Sequence, residues 1–142
     1  MRKIGAVIFV VLFLGLIIFA NAQKEKVDPA KELAKSIENG KKLFSDPNLG
    51  TNGMSCNTCH LEGGTKEGKM GDKTLEAFDN LAAKYPKYFG MANRVMTLDQ
   101  VNNWCIVVPL KGKALAWDDQ KLTDLAAYVA SVKTQKPEKK KY

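Results

Sequence analysis

The sequence predicts an all-α domain, and three observations carry that expectation. Apolar residues recur at helical spacing in several separate segments, some of which open on recognisable caps. No run alternates apolar and polar residues for long enough to read as a strand, and there is no internal repeat. Ser55 to Gly64 reads SCNTCHLEGG, in which Cys56, Cys59 and His60 form C-x-x-C-H. That pattern anchors a haem covalently, with the histidine as one axial ligand.

Residues 1–22 read as an export signal. Arg2 and Lys3 form a positive start, Ile4 to Ala20 is an uncharged apolar run of 17 residues, and Ala20-Asn21-Ala22 is a small-x-small cleavage site. The alternative is a retained membrane anchor, because 17 residues is near the lower limit for a span. The expected product is exported, periplasmic or beyond, and touches a membrane only if the signal stays. Cleavage after Ala22 removes two of the 22 basic residues and none of the 15 acidic ones, lowering the formal charge from +7 to +5. Much of that excess lies in Lys136, Lys139, Lys140 and Lys141, within a polar 133–142 tail expected to be flexible. The charge suits steering toward an acidic redox partner. No motif points to nucleic acid. The domain is therefore expected over 23–132, small enough that an embedded haem would also serve as core.

Taking the elements in order, Asp28-Pro29 supplies an N-cap and a proline at the first helical position. Leu33, Ile37, Gly40 and Phe44 then mark one helical face, which ends before Asp46-Pro47-Asn48. Gly40 costs a helix about 1 kcal/mol relative to alanine, so it either frays the end or admits a close neighbour. The C-terminal helix offers that neighbour: Leu122, Leu125, Ala126, Val129 and Val132 form its apolar face after Asp118-Asp119, and Tyr128 supplies an aromatic. Between them, 62–71 is glycine-rich and reads as loop. Lys73 to Lys84 reads as a helix carrying Leu75, Phe78 and Leu81, broken at Tyr85-Pro86. Thr97-Leu98-Asp99-Gln100 fits a capping box, opening a helix with Leu98, Val101, Cys105 and Val108 on one side and ending at Pro109. Cys105 then points inward.

Two thiols with two residues between them can add to the two vinyl groups of one haem, which holds the adjacent histidine against the iron. A disulfide oxidoreductase would need a βαβ context that is absent. A zinc site using Cys56, Cys59, His60 and Cys105 would need adjacent ligands at 59 and 60, a poor tetrahedral fit. His60 is the only histidine, so a second histidine ligand from this chain is excluded. Met54 is too near Cys56 to reach the far face, and Met70 falls in the glycine-rich loop. Met91 and Met96 remain as thioether candidates for the second axial position. Cys105, the third cysteine, is a thiolate candidate, a buried free thiol, or half of an intermolecular disulfide.

Glycine ahead of Leu43-Phe44, C-x-x-C-H, and a terminal helix with Leu125 and Tyr128 together resemble a class I cytochrome c. The resemblance covers most of the mature chain and implies a cytochrome c fold, helices wrapped around one covalent haem c. A longer match is more specific. Tyr85-Pro86-Lys87-Tyr88, Thr97-Leu98-Asp99, Asn103-Trp104-Cys105 and Gly112-Lys113-Ala114-Leu115 resemble the haem domain of thiosulfate dehydrogenases and sulfur-oxidation cytochromes. There, a cysteine reached through T-L-E-x-R-I-N-x-C binds the iron opposite the histidine. The resemblance thus implies Cys105 as the distal ligand, with Met91 or Met96 as the fallback. Thiolate ligation favours ferric iron and a low potential.

The chain departs from those enzymes. Their arginine four residues before the cysteine is Val101 here, a second substrate-facing arginine aligns with Met91, and only Arg94 is nearby. They also carry a second haem. Three functions follow as expectations: an exported electron-transfer cytochrome, a haem subunit of a thiosulfate-oxidising enzyme, or a nitric oxide or carbon monoxide binder in which Cys105 leaves ferrous iron. The first needs no enzymatic activity. Its partners would be a redox protein and, as a heterodimer, another c-type cytochrome docked on the exposed side of 85–96.

Overall fold

The computed structural model describes residues 27–134. Within them the chain runs α1 (Pro29–Phe44), α2 (Cys56–Cys59), a 3₁₀ turn (Glu62–Gly64), β1 (Gly68–Met70), β2 (Lys73–Leu75), α3 (Leu81–Lys84), β3 (Lys87–Phe89), β4 (Arg94–Met96), α4 (Leu98–Val107) and α5 (Gln120–Ser131). The export signal and most of the basic tail lie outside the described residues. Lys133, read as the start of that tail, forms an antiparallel bridge with Asp79. Among the described residues, no helix is long and apolar enough to cross a membrane.

The caps form as the sequence requires. Asp28 is extended, and its Oδ1 accepts from Ala30 N–H at 3.0 Å, while Pro29 occupies a first-turn position where an N–H is not needed. Thr97 Oγ1 accepts from Gln100 N–H at 3.4 Å, and Gln100 Oε1 accepts from Thr97 N–H at 3.0 Å. Asp119 Oδ1 accepts from Lys121 N–H at 2.9 Å, opening α5.

The first and last helices cross at Gly40. A Cβ there would lie 1.9 Å from Asp124 O and 2.7 Å from Tyr128 Cβ, so the backbones meet where only a hydrogen fits. The small-against-aromatic crossing expected from the sequence is present. The apolar face of α1 is shorter than expected, since Leu33 is 57% exposed and burial begins at Ile37. The core gathers Phe44, Phe78, Ile106, Leu125, Tyr128, Val129 and Val132. Phe44 sits edge-on to Phe78 (5.9 Å between centroids) and to Tyr128 (5.3 Å).

The all-α expectation needs correcting. Two antiparallel hairpins are present, β1–β2 pairing Gly68 with Leu75 and β3–β4 pairing Lys87 with Met96. Each strand is three residues long, too short to show a period of two. The helix expected over Lys73 to Lys84 is reduced to its last turn, α3. Lys73 to Leu75 instead pair with β1, Phe78 N–H donates to Gly64 O at 2.7 Å, and Asn80 is left-handed (φ 49°). The loop expected over 62–71 holds the 3₁₀ turn and β1. In α4, burial also exceeds one face: Val101, Asn102, Asn103 and Ile106 are all buried, whereas Val108 is exposed beyond the helix end.

Candidate functional site

The C-x-x-C-H segment forms one short helix, α2, with His60 as its last hydrogen-bonded residue: His60 N–H donates to Cys56 O at 2.9 Å. Ser55 N–H donates to Thr58 Oγ1 at 3.0 Å and steadies the entry. The exit is tied twice. Gly63 N–H donates to Asn57 Oδ1 at 2.7 Å, and Tyr128 Oη donates to Gly63 O at 2.9 Å. The second bond reaches from α5 across 65 residues and fixes the turn after His60 against the helical frame. The imidazole then packs against Phe78, 4.6 Å between centroids, and Phe44, 6.3 Å. Gly64 (φ 89°) makes this possible, because a Cβ there would meet the Phe78 ring at 2.3 Å.

The other wall is α4 with the β3–β4 hairpin. Asn103 fixes α4 to the segment after it, its Nδ2 donating to Leu115 O at 3.0 Å while its Oδ1 accepts from Leu115 N–H at 2.9 Å. The loop before the motif is held to the end of α4: Thr51 N–H donates to Leu110 O at 3.0 Å, and Asn52 Nδ2 to Pro109 O at 2.8 Å. Phe89 packs edge-on to Trp104 at 5.1 Å, joining the hairpin to α4.

Between these walls lies a cavity of about 470 Å³ that takes in Cys56, Cys59, His60 and Cys105 together. That is the size of a cofactor site. Its walls are chiefly apolar, with Phe44, Phe78, Leu98, Val101, Leu125 and Val129 among them. Of the fallback ligands, Met91 lines the cavity, whereas Met96 is 1% exposed, packed into the protein interior and not on the cavity wall. Met70, set aside in the sequence as a loop residue, reaches the wall through β1. Arg94 is exposed on β4 and does not line the cavity. Asn102, Tyr85 and Trp104 line it without having been singled out as ligand or contact; nothing in their spacing sets them apart from other helix and loop residues.

Burial sets the titration of these groups. It pushes His60 down to about 4, so the imidazole is neutral at physiological pH with a lone pair free for a metal. It pushes Cys105 up to about 12, with smaller contributions from Cys56 and Cys59, so the three sulfurs are near enough to interact. Burial likewise raises Cys59, takes Cys56 to about 11, and raises Tyr85, which also feels Cys105. A Cys105 thiol in this setting ionises only with a compensating cation. Among the described residues, no group of three or more His, Cys, Asp or Glu side chains is placed to hold a metal ion. The donor set instead suits a flat apolar body fixed at two thiols.

Comparison with known proteins places the chain among cytochromes c. The family described as SoxA/TsdA, cytochrome c domain, matches residues 39–137. A thiosulfate dehydrogenase from Allochromatium vinosum is 32% identical over 108 residues, which cover 72% of this chain and 39% of that protein. A thiosulfate dehydrogenase from Psychrobacter arcticus is 23% identical over 118 residues, 80% of this chain and 34% of that protein. The matched stretch thus spans well under half the length of either relative.

Proposed function

The chain belongs to the SoxA/TsdA cytochrome c domain family, and on that premise we propose that it is an exported monohaem electron-transfer protein with His60 and Cys105 as axial ligands. A cytochrome c domain binds haem c covalently, and the residues present fit one: two thiols at the attachment spacing, a neutral histidine beside them, and an apolar cavity around all three. The observation that carries the ligation is the presence of Cys105 on the same cavity wall system as His60, with no second histidine in the chain.

Bound haem supplies a one-electron ferric–ferrous couple. The chain does the rest. Cys56 and Cys59 would hold the haem covalently through their sulfurs. His60, neutral here, would offer a ring nitrogen without first losing a proton. Cys105 would bind as a thiolate, its proton released to solvent, and that negative charge would favour ferric iron. Phe44, Phe78, Leu125 and Val129 exclude water, which strengthens that preference.

The expected result is a negative reduction potential and a ferric low-spin thiolate signal in electron paramagnetic resonance. Cys105→Ala should abolish that signal and Cys105→Met should raise the potential. An unchanged spectrum in Cys105→Ala refutes the ligation and leaves Met91, which lines the cavity.

The exchange partner is read as an acidic redox protein or a second c-type cytochrome. The segment 80–98 holds Lys84, Lys87 and Arg94 and no acidic residue. On its outer face Tyr88 and Val95, paired across the hairpin, are 60% and 65% exposed. Electron exchange should slow with rising salt, and more weakly so in Lys87→Ala/Arg94→Ala.

The names of the relatives favour a second reading, a haem subunit of a thiosulfate-oxidising enzyme. Against it, Val101 and Met91 line the cavity where arginines would bind an oxyanion, and Arg94 does not reach it. Thiosulfate turnover with an artificial acceptor would select this reading over the first. A shifted Soret band on adding carbon monoxide to the reduced protein would select a gas-binding role.

A further inference from the structure

Asn102 is 8% exposed, lines the cavity, and its Nδ2 is buried without a hydrogen-bond partner among the described residues. A buried amide left in this state costs about 1–3 kcal/mol, and the neighbouring asparagine shows the contrast. Asn103 spends both ends of its amide on Leu115. Asn102 has no such structural use, and the motif quoted above carries an isoleucine at its position. Its Nδ2 therefore donates to no group among the described residues, the neutral Cys105 thiol included, and stays available to a stronger acceptor.

The helix selects the acceptor. Asn102 and Cys105 are three residues apart on α4, where side chains are neighbours on one surface. Helical side chains lean toward the N-terminus, so that of Cys105 is directed back over the turn that carries Val101 and Asn102. Both residues line the same cavity. We infer that Asn102 is a positioning residue whose side-chain amide donates a hydrogen bond to the sulfur of Cys105 once that sulfur binds iron. This inference rests on the His60/Cys105 reading above.

An N–H donor withdraws electron density from a ligating thiolate and so weakens its preference for ferric iron. Asn102 thus raises a potential that the thiolate alone would set lower. It also offsets the cost of keeping an anionic sulfur inside an apolar wall.

The test uses the haem-loaded protein. Asn102→Leu keeps the volume and removes the donor. It should shift the ferric–ferrous equilibrium about tenfold toward ferric, which for a one-electron couple is about 59 mV downward. The g-value spread of the thiolate signal should change with it, and Asn102→Gln should restore part of both. Tyr85→Phe serves as the control for the other hydrogen-bonding side chain near Cys105 and should leave the Asn102 effect in place. In the wild-type protein, which needs no variant to fold, the Fe–S stretching frequency should move on transfer to D₂O. An unmoved Fe–S stretch together with an unmoved potential in Asn102→Leu overturns the inference. A lowered potential with an unaltered thiolate signal also overturns it, because the amide would then serve a haem propionate. Loss of the thiolate signal in Cys105→Ala tests the ligation separately, so the two readings fail independently.

Discussion

Replacing Gly40 by alanine tests the frame on which the haem cavity is hung. A Cβ at this position begins 1.9 Å from Asp124 O and 2.6 Å from Asp124 C, and ordinary contact starts at 3.4 Å. Helix α1 would have to recede from α5 by about 1.5 Å at the crossing. The obstructing atoms are backbone, so no rotamer change relieves them. Overpacking then costs near the upper end of its usual range, about 3 kcal/mol. The shift also strains the bond from Ser36 Oγ to Asp124 Oδ1 (2.6 Å), worth about 1 kcal/mol. Alanine returns about 1 kcal/mol in helix propensity. The net expectation is a loss of about 3 kcal/mol, a large share of the total for a small domain.

Urea unfolding of the ferric holoprotein, followed by far-UV circular dichroism and the Soret band together, measures it. The midpoint should fall by at least about 1 M at an ordinary m-value. Gly90 is the control, since a Cβ there meets nothing and its φ is unremarkable, so Gly90→Ala should be close to neutral. A Gly40→Ala protein as stable as wild type, or more stable by the propensity term alone, would show that the two helices do not touch at this point.

Three further outcomes are expected. Asn103→Ala breaks both bonds to Leu115 and should cost about 2 kcal/mol, read in the same unfolding assay. Burial alone would raise Asp124, but bonds from Ser36, Gln120 and Asn39 and the nearby Lys35 outweigh it and hold the carboxyl below its ordinary value of 3.8. The unfolded chain therefore takes up that proton first as pH falls, so the Asp124 contribution is present above about 4 and lost as pH drops through the lower folded value; Asp124→Asn should flatten the acid limb of stability against pH. A Cys56→Ala/Cys59→Ala chain that matures without haem should keep helical far-UV signal, lose near-UV signal and bind a hydrophobic dye, and a cooperative native-like transition in that chain would contradict the view that the cofactor completes the core.

What the sequence made legible was local or chemically distinctive. Asp28-Pro29 and Thr97 to Gln100 announce helix starts because capping is short-range, and C-x-x-C-H announces its site because no common structural role needs those three residues together. Gly40 was legible for a different reason: a glycine in a helix interior is costly enough to demand a cause. The hairpins were hidden because three-residue strands such as Gly68–Met70 have no periodicity, and their register depends on turns. The helix projected over Lys73 to Lys84 failed where tertiary pairing to β1 and the left-handed Asn80 overrode a plausible apolar spacing. Met70, placed in the glycine-rich loop, lies on β1 instead, hidden for the same reason as the other three-residue strands. Asn102 could not be read at all, because an unpaired amide is a property of its surroundings and leaves no mark in the chain.

Phe44, Phe78, Leu125 and Val129 belong both to the hydrophobic core and to the wall of the cavity. The core does not stand beside the cofactor site; it is one side of it. The Tyr128 bond to Gly63 extends the same coupling, since it fastens the turn that aims His60 to the helix that carries Leu125 and Val129. A substitution at Phe78, which touches the His60 ring directly, must therefore change stability, histidine orientation and local dielectric together. The potential of such a variant cannot be assigned to ligand electronics unless haem occupancy and folding are matched first. Asn102 escapes that confounding, because its Nδ2 has no hydrogen-bond partner to lose among the described residues, and so, on the proposed Cys105 ligation, the electronic contribution of that wall is best isolated there.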